Sequence, residues 1–266
     1  MTITMKQAMA QGQRQLGVLL RMPAEELVEM AGVAGMDFVL IDAEHGPADM
    51  IPLRVHISIA QLHGMGVLVR VGQDEPAVVQ RILDHGADGV VVPHIENEAA
   101  ARRAVAAARY APAGQRGFAT YGRAGRYGRV GVAEHLADDE TRTLVFPMIE
   151  SEAACRRADE IAAVAGVDGV MVGPADLAVD MGAAAPSEPR VAAAVEQAFE
   201  TVARNGRYRL RIVADRVAAA AAFEAGAEAV VVNFSHAVMA LFADIRTARP
   251  LHQPSPMVDQ QRNEEQ

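Results

Sequence analysis

Apolar residues fall along this chain in two alternating patterns. Eight short runs, Leu16–Leu20, Phe38–Asp42, Val67–Val71, Gly89–Pro93, Leu144–Ile149, Gly169–Val172, Leu210–Val213 and Ala229–Asn233, are nearly unbroken in β-branched and other apolar residues. A strand with one wet face alternates polar and apolar positions, so unbroken runs fit strands buried on both faces of a parallel sheet. Segments between them, such as Ala24–Ala34, Pro76–His85, Glu98–Arg109, Glu152–Val164 and Arg216–Ala225, carry apolar residues at three- and four-residue spacing, the stripe of an amphipathic helix. Eight βα units in about 250 residues predict an α/β fold, a parallel eight-stranded (β/α)8 TIM barrel. It is placed in residues 1–249 as a single domain.

A short repeat supports the parallel arrangement. Gly35-Met36-Asp37, Gly86-Ala87-Asp88, Gly166-Val167-Asp168 and Gly226-Ala227-Glu228 each end a helical segment with Gly, then an apolar residue and an acid, just before runs two, four, six and eight. Glycine suits the left-handed position that closes a helix. An open doubly wound sheet would also carry such loops, but no Gly-x-Gly-x-x-Gly follows the first run, which weighs against dinucleotide binding. Two segments break the alternation. Tyr110–Asp139 is Gly- and Arg-rich and too long for an ordinary connection, so it is a candidate functional loop. Residues 250–266 are polar and rich in Pro and Gln, the composition of a disordered C-terminal tail.

Composition narrows the class. A net charge of −9 argues against partnership with nucleic acid or an anionic membrane. Residues 1–14 lack the apolar core of a signal peptide, and no apolar run reaches the roughly 18 residues of a membrane helix, so a cytoplasmic protein is expected. The lone Cys155 excludes an intramolecular disulfide and a Cys-rich zinc site. Of 25 basic residues only Lys6 is a lysine.

In such a barrel the chemistry sits at the carboxyl ends of the strands. There the chain places Asp42-Ala43-Glu44-His45, Arg70, His94, Glu150, Gly173-Pro174-Ala175-Asp176, Asp215 and Asn233. Glu150 and Asp176 end neighbouring runs; two carboxylates with open positions suit Mg2+ or Mn2+, with Co2+ a further option. Their structural alternative is helix capping, by Asp176 itself and by Ser151 next to Glu150. His45 is the general-base candidate, with Asp42 available to fix its tautomer; a satisfied structural histidine is the alternative. Arg70 suits a substrate carboxylate, or else an ion pair with Glu44 or Glu150. The Gly173–Asp176 turn offers backbone N–H groups to an anion. Asp215 reads best as a helix cap.

Together these residues resemble the HpcH/HpaI aldolase family, the metal-dependent class II pyruvate aldolases. The resemblance rests on Phe38-Val-Leu-Ile-Asp-Ala-Glu-His-Gly-Pro47, Val69-Arg-Val71, Gly86-Ala-Asp-Gly-Val-Val-Val-Pro93, Ala108-Arg-Tyr-Ala-Pro-Ala-Gly-Gln-Arg-Gly117, Met148-Ile-Glu-Ser-Glu152 and Asp168-Gly-Val-Met-Val-Gly-Pro-Ala-Asp-Leu177, in the family's order over about residues 15–245. It implies a divalent metal on Glu150 and Asp176. Arg70 and the Gly173, Pro174, Ala175, Asp176 backbone would hold pyruvate, and His45 oriented by Asp42 would be the acid/base. It also implies reversible cleavage of a 4-hydroxy-2-oxo acid to pyruvate and an aldehyde through an enolate held by the ion. The small-molecule partners are thus a 2-oxo acid and an aldehyde. A homo-oligomer, hexamer or trimer of dimers, exchanging C-terminal helices, is expected on the same basis.

The chain departs from the family pattern in two places. Gly117-Phe118-Ala119-Thr120 stands where Gly-Val-Gly-Ser is frequent, so Thr120 is expected to keep a pyruvate-contacting hydroxyl. Met148 stands where some members have Gln. Val92-Pro-His-Ile95 and Tyr110-Ala-Pro112 also resemble citrate-forming siderophore enzymes on the same scaffold, which condense oxaloacetate with acetyl-CoA; this is the alternative. The Arg-rich loop from Arg116 to Arg129 could meet coenzyme A phosphates or pair across a subunit interface. Aldolases reach an enolate through a Schiff-base lysine or through a metal. Lys6 precedes the first strand, so the lysine route lacks its residue and the metal route is expected.

Overall fold

A computed structural model describes residues 3–46 and 49–249. The eight strands are β1 (Gln15–Leu20), β2 (Phe38–Asp42), β3 (Gly66–Arg70), β4 (Gly89–Val92), β5 (Leu144–Ile149), β6 (Gly169–Val172), β7 (Tyr208–Val213) and β8 (Ala229–Asn233). They pair in chain order, all parallel, and β8 closes on β1. The helices are α1 (Met5–Ala10), α2 (Glu25–Val33), α3 (Met50–Leu62), α4 (Pro76–Asp84), α5 (Glu98–Ala108), α6 (Val132–Arg142), α7 (Glu152–Arg156), α8 (Ala158–Ala162), α9 (Pro174–Asp180), α10 (Pro189–Arg204), α11 (Arg216–Glu224) and α12 (Phe234–Thr247). The predicted helix Glu152–Val164 is two helices, joined at Arg157.

Two apolar layers explain the unbroken strand runs. Leu19, Phe38, Leu40, Leu68, Phe146 and Leu210 fill the barrel, while Val39, Ile41, Val67, Val69 and Val145 pack outward against the helices. Alternate side chains of one strand enter opposite cores. Helix α1, closed by a Thr4–Gln7 capping box, contributes Met5 and Met9 to the inner core and stoppers the N-terminal end.

The repeated acids have a shared task at that end. Asp37 accepts the N–H of Leu16 at 2.8 Å, Asp88 that of Val67 at 2.8 Å, Asp168 that of Val145 at 2.9 Å and Glu228 that of Arg209 at 2.9 Å. Each acid before an even strand therefore holds the start of the preceding odd strand. The glycine two residues before each acid has φ between 82° and 96°, a backbone state that costs a side-chain-bearing residue about 1 kcal/mol or more.

The expected functional loop lies at this same end. Helix α5 carries the chain down to the N-terminal face, where β5 begins, and the connection between them stays there. Arg116 is buried between Asp84, at the end of α4, and Asp139, at 2.7 and 2.8 Å, with its guanidinium 4.4 Å from the Tyr110 ring. Ala124 donates to the Asp84 carbonyl at 3.1 Å, and Tyr110–Asp139 includes most of α6. Thr120 belongs to this cap, its carbonyl accepting the Gly128 N–H at 2.8 Å. The expected pyruvate contact of Thr120 is thus corrected: within one chain it sits at the opposite end of the barrel from Glu150.

Helix α12 lies against β1 and β8, has no buried residue, and leaves Met239, Leu241, Phe242 and Ile245 more than half exposed. Among the described residues no helix is long and apolar enough to cross a membrane. The tail at 250–266 and Pro47 of the β2 motif lie outside the described residues.

Candidate active site

The C-terminal ends of β2 and β3 meet in an ion pair. Arg70 Nε donates to Asp42 Oδ1 at 3.0 Å and Nη2 to Oδ2 at 2.5 Å, a bidentate fork enforced by register, because Asp42 and Arg70 are paired positions of adjacent strands. Asp42 is fully buried and also accepts Arg21 Nε at 2.8 Å and the N–H groups of Glu44 and His45 at 3.2 Å each. Burial pushes its carboxyl up, but the Arg70 hydrogen bonds and charge, then Arg21 and the His45 N–H, outweigh that and leave it below the ordinary value. The expected imidazole contact is corrected: Asp42 meets His45 through the main chain, tying the β2 loop to the strand. The His45 ring stays 58% exposed, its Nε2 3.7 Å from Glu44 Oε2.

A second group of acids follows β4 and β5. Glu150, 5% exposed, accepts the His94 N–H at 2.9 Å on Oε2, and His94 Nδ1 lies 3.3 Å from that oxygen. His94 Nε2 lies 3.4 Å from Glu44 Oε1, so the ring bridges the two carboxylates. Its φ of 55° is a left-handed state rare outside glycine. Burial, above all, pushes the Glu150 carboxyl up; the His94 N–H and ring pull against this, while Asp176 and Glu44 add to it. Glu44 Oε2 is buried without a hydrogen bond among the described residues, although Arg70 Nε lies 3.3 Å away.

The capping alternatives for the two candidate ligands are answered by their neighbours. Ser151 caps α7, accepting the Ala154 N–H at 3.0 Å, which leaves Glu150 outside that cap. Helix α9 starts from Gly173 with no side-chain cap, so Asp176 stands exposed in its first turn. A Cβ at Gly173 would come within 2.8 Å of Glu150 Oε1, so glycine there gives the carboxylate its room. A hard divalent cation fits this donor set: oxygen ligands, one desolvated carboxylate pushed toward protonation, and a buried carboxylate oxygen lacking a donor nearby. Among the described residues no group of three or more His, Cys, Asp or Glu side chains is placed to hold a metal ion. Asp215 and Asn233 cap α11 and α12, accepting the Ala218 and His236 N–H groups.

Glu44, His94 and Arg21 join the site although sequence gave them little or no part in it. Glu44 is a rim position and an alternative partner of Arg70 in the sequence, and His94 a rim position within the Val92–Ile95 motif, neither with a role in the chemistry. Arg21 follows β1 directly, and its place after an apolar run was the signal that could have found it.

A closed parallel barrel with buried acids, a paired arginine and an exposed histidine at its C-terminal mouth has the make-up of a barrel-enzyme active site. The chain matches the HpcH/HpaI aldolase/citrate lyase family over residues 15–246 and belongs to it. It is 34% identical to a pyruvate aldolase of Rhizobium etli over 92% of this chain and 96% of that one. It is also 34% identical to a 4-hydroxy-2-oxo-heptane-1,7-dioate aldolase of Klebsiella pneumoniae over 96% of both. An HpcH/HpaI aldolase structure from Desulfitobacterium hafniense superposes with a TM-score of 0.87 at 28% identity, over 94% of this chain and 98% of that one. A citrate synthase superposes at 0.82 with 24% identity, over 92% and 97%, a likeness of fold alone. The protein is a lyase, an aldolase acting on 2-oxo acids.

Proposed function

We propose that the enzyme cleaves a 4-hydroxy-2-oxo acid to pyruvate and an aldehyde, reversibly and with a divalent cation. The observation that carries this reading is Glu150, a buried carboxylate beside Asp176 and Glu44 and freed from capping by Ser151. Glu150 and Asp176 would hold the ion, Mg2+ or Mn2+, which when bound supplies Lewis-acid polarisation of the 2-oxo group. The sole lysine supports this route over a Schiff base. Lys6 Nζ lies at the N-terminal face, 2.9 Å from Asp168 and 3.1 Å from the Thr143 carbonyl.

The chain's own groups divide the work. Arg70 Nη1 is left over from the Asp42 fork and lies 3.9 Å from Met148 Sδ, a weak acceptor that a substrate oxygen displaces readily. The N–H groups at the start of α9 bind the carboxylate of the 2-oxo acid. The His45 imidazole takes the proton of the 4-hydroxyl. C4–O becomes a carbonyl, the C3–C4 bond breaks, and its electron pair passes to the 2-oxo oxygen. Arg70 offsets that charge, and protonation at C3 completes pyruvate. The exposed apolar residues of α12 support a homo-oligomer in which this helix packs on a neighbouring copy. Acetyl-CoA-dependent condensation of oxaloacetate is the second reading, supported by the Val92–Ile95 and Tyr110–Pro112 motifs and by the shared fold of the citrate synthase.

Chelation tests the proposal. EDTA treatment is expected to abolish cleavage and pyruvate C3 proton exchange, and added Mn2+ or Mg2+ to restore both. Full activity in a verified metal-free sample overturns the metal-dependent reading, and turnover that requires acetyl-CoA moves the function to the alternative.

A further inference from the structure

Arg21 is the arginine of this site whose donors are least used. Its Nε is spent on Asp42 Oδ2 at 2.8 Å, which fixes the plane of the guanidinium. The four Nη hydrogens meet no acceptor among the described residues, and the side chain is 31% exposed at the mouth. Asp42 has no capacity left for them, since it already serves Arg21 Nε, two nitrogens of Arg70 and two backbone N–H groups. Two guanidinium groups thus share one carboxylate. Glu44, 3.3 Å from Arg70, offsets the charge on the Arg70 side, and the unmatched positive charge rests on Arg21. Gly46 abuts the Arg21 main chain, where a Cβ would come within 2.8 Å of the Arg21 carbonyl oxygen, so the β2 loop packs over the base of this residue.

Position supplies the rest. Arg21 follows β1 and Glu150 follows β5, and in a closed barrel of eight strands in chain order these lie diametrically opposite. A substrate anchored by its 2-oxo acid end beside Glu150 and Asp176 extends across the mouth toward β1. Resting on the proposed aldolase reading, we infer that Arg21 binds a terminal carboxylate on the acceptor aldehyde and is the residue that sets the preference for an acidic over a neutral acceptor. A planar fork with two free N–H edges suits a carboxylate bidentately, which a neutral alkyl end cannot exploit.

The test is a ratio. Wild type, Arg21→Gln and Arg21→Lys are assayed in the aldol direction with pyruvate and Mn2+, using 4-oxobutanoate and, as its neutral counterpart of equal chain length, butanal. Wild type is expected to favour 4-oxobutanoate in kcat/KM. In Arg21→Gln that preference falls roughly tenfold to a hundredfold, mainly through KM. Arg21→Lys, which keeps the charge without the fork, falls between. A preference equal in all three proteins, or none in wild type, overturns the assignment to Arg21 while leaving the aldolase reading intact. Absence of pyruvate proton exchange in metal-loaded wild type overturns the aldolase reading and this inference with it.

Discussion

At the N-terminal end of the barrel, Asp88, Asp168 and Glu228 each accept a backbone N–H and each meet an arginine, at 2.8 Å in every case. At the C-terminal end, among the described residues, Glu150 has a backbone N–H and a histidine but no arginine in ion-pair contact, and Glu44 keeps a buried oxygen without a hydrogen bond. The same residue type at the two ends of the same strands thus serves two purposes. One ring of acids spends its charge internally and fastens strand starts; the other holds charge in reserve for a ligand. A buried carboxylate without a matched arginine costs stability, so its persistence at the C-terminal rim supports that rim as the one that does chemistry.

The contrast is broken most severely by Glu150→Gln. Cleavage is expected to fall roughly a thousandfold or more. The melting temperature should hold or rise, because the amide removes a charge the fold compensates poorly. Retained turnover, or marked destabilisation, would place Glu150 with the structural acids. Next comes Asp168→Ala, which strips Arg109, Lys6 and the Val145 N–H of their shared acceptor. Urea titration should show a loss of about 3 kcal/mol, with turnover per folded molecule preserved; no loss would remove Asp168 from the fastening ring. The smallest effect belongs to Asp42, which lies at the catalytic rim but is paired like an N-terminal acid. Its carboxyl is held below the ordinary 3.8, so its stabilisation is complete above that value and is lost as pH falls through the folded pKa. The stability gap between wild type and Asp42→Asn, about 2 kcal/mol, should stay level above about pH 5 and close in more acidic buffer. A gap independent of pH would mean that the Arg70 pairing contributes nothing through charge.

Strand positions were legible because burial on both faces leaves an unbroken apolar signature. The Gly-x-acid repeat was legible because a left-handed backbone and a fixed hydrogen bond both restrict residue choice. The pairing of Asp42 with Arg70 was not, since it depends on β2–β3 register and joins residues 28 positions apart in the chain. His94 carries its role through a left-handed φ that no local residue announces. Thr120 was misplaced for a topological reason: a long polar segment looks like an active-site loop, yet a connection between a helix and the next strand lies at the N-terminal face. Arg21 is not legible in the sequence because its significance lies in facing Glu150 across the mouth, a relation visible only once the barrel closes.

Having its one lysine on the stoppered face gives this enzyme an unusual handle. Coupling to a support through side-chain amines can engage only Lys6, a residue already tethered to Asp168 and remote from Glu150. A chain fixed in that way stands with its mouth turned away from the support.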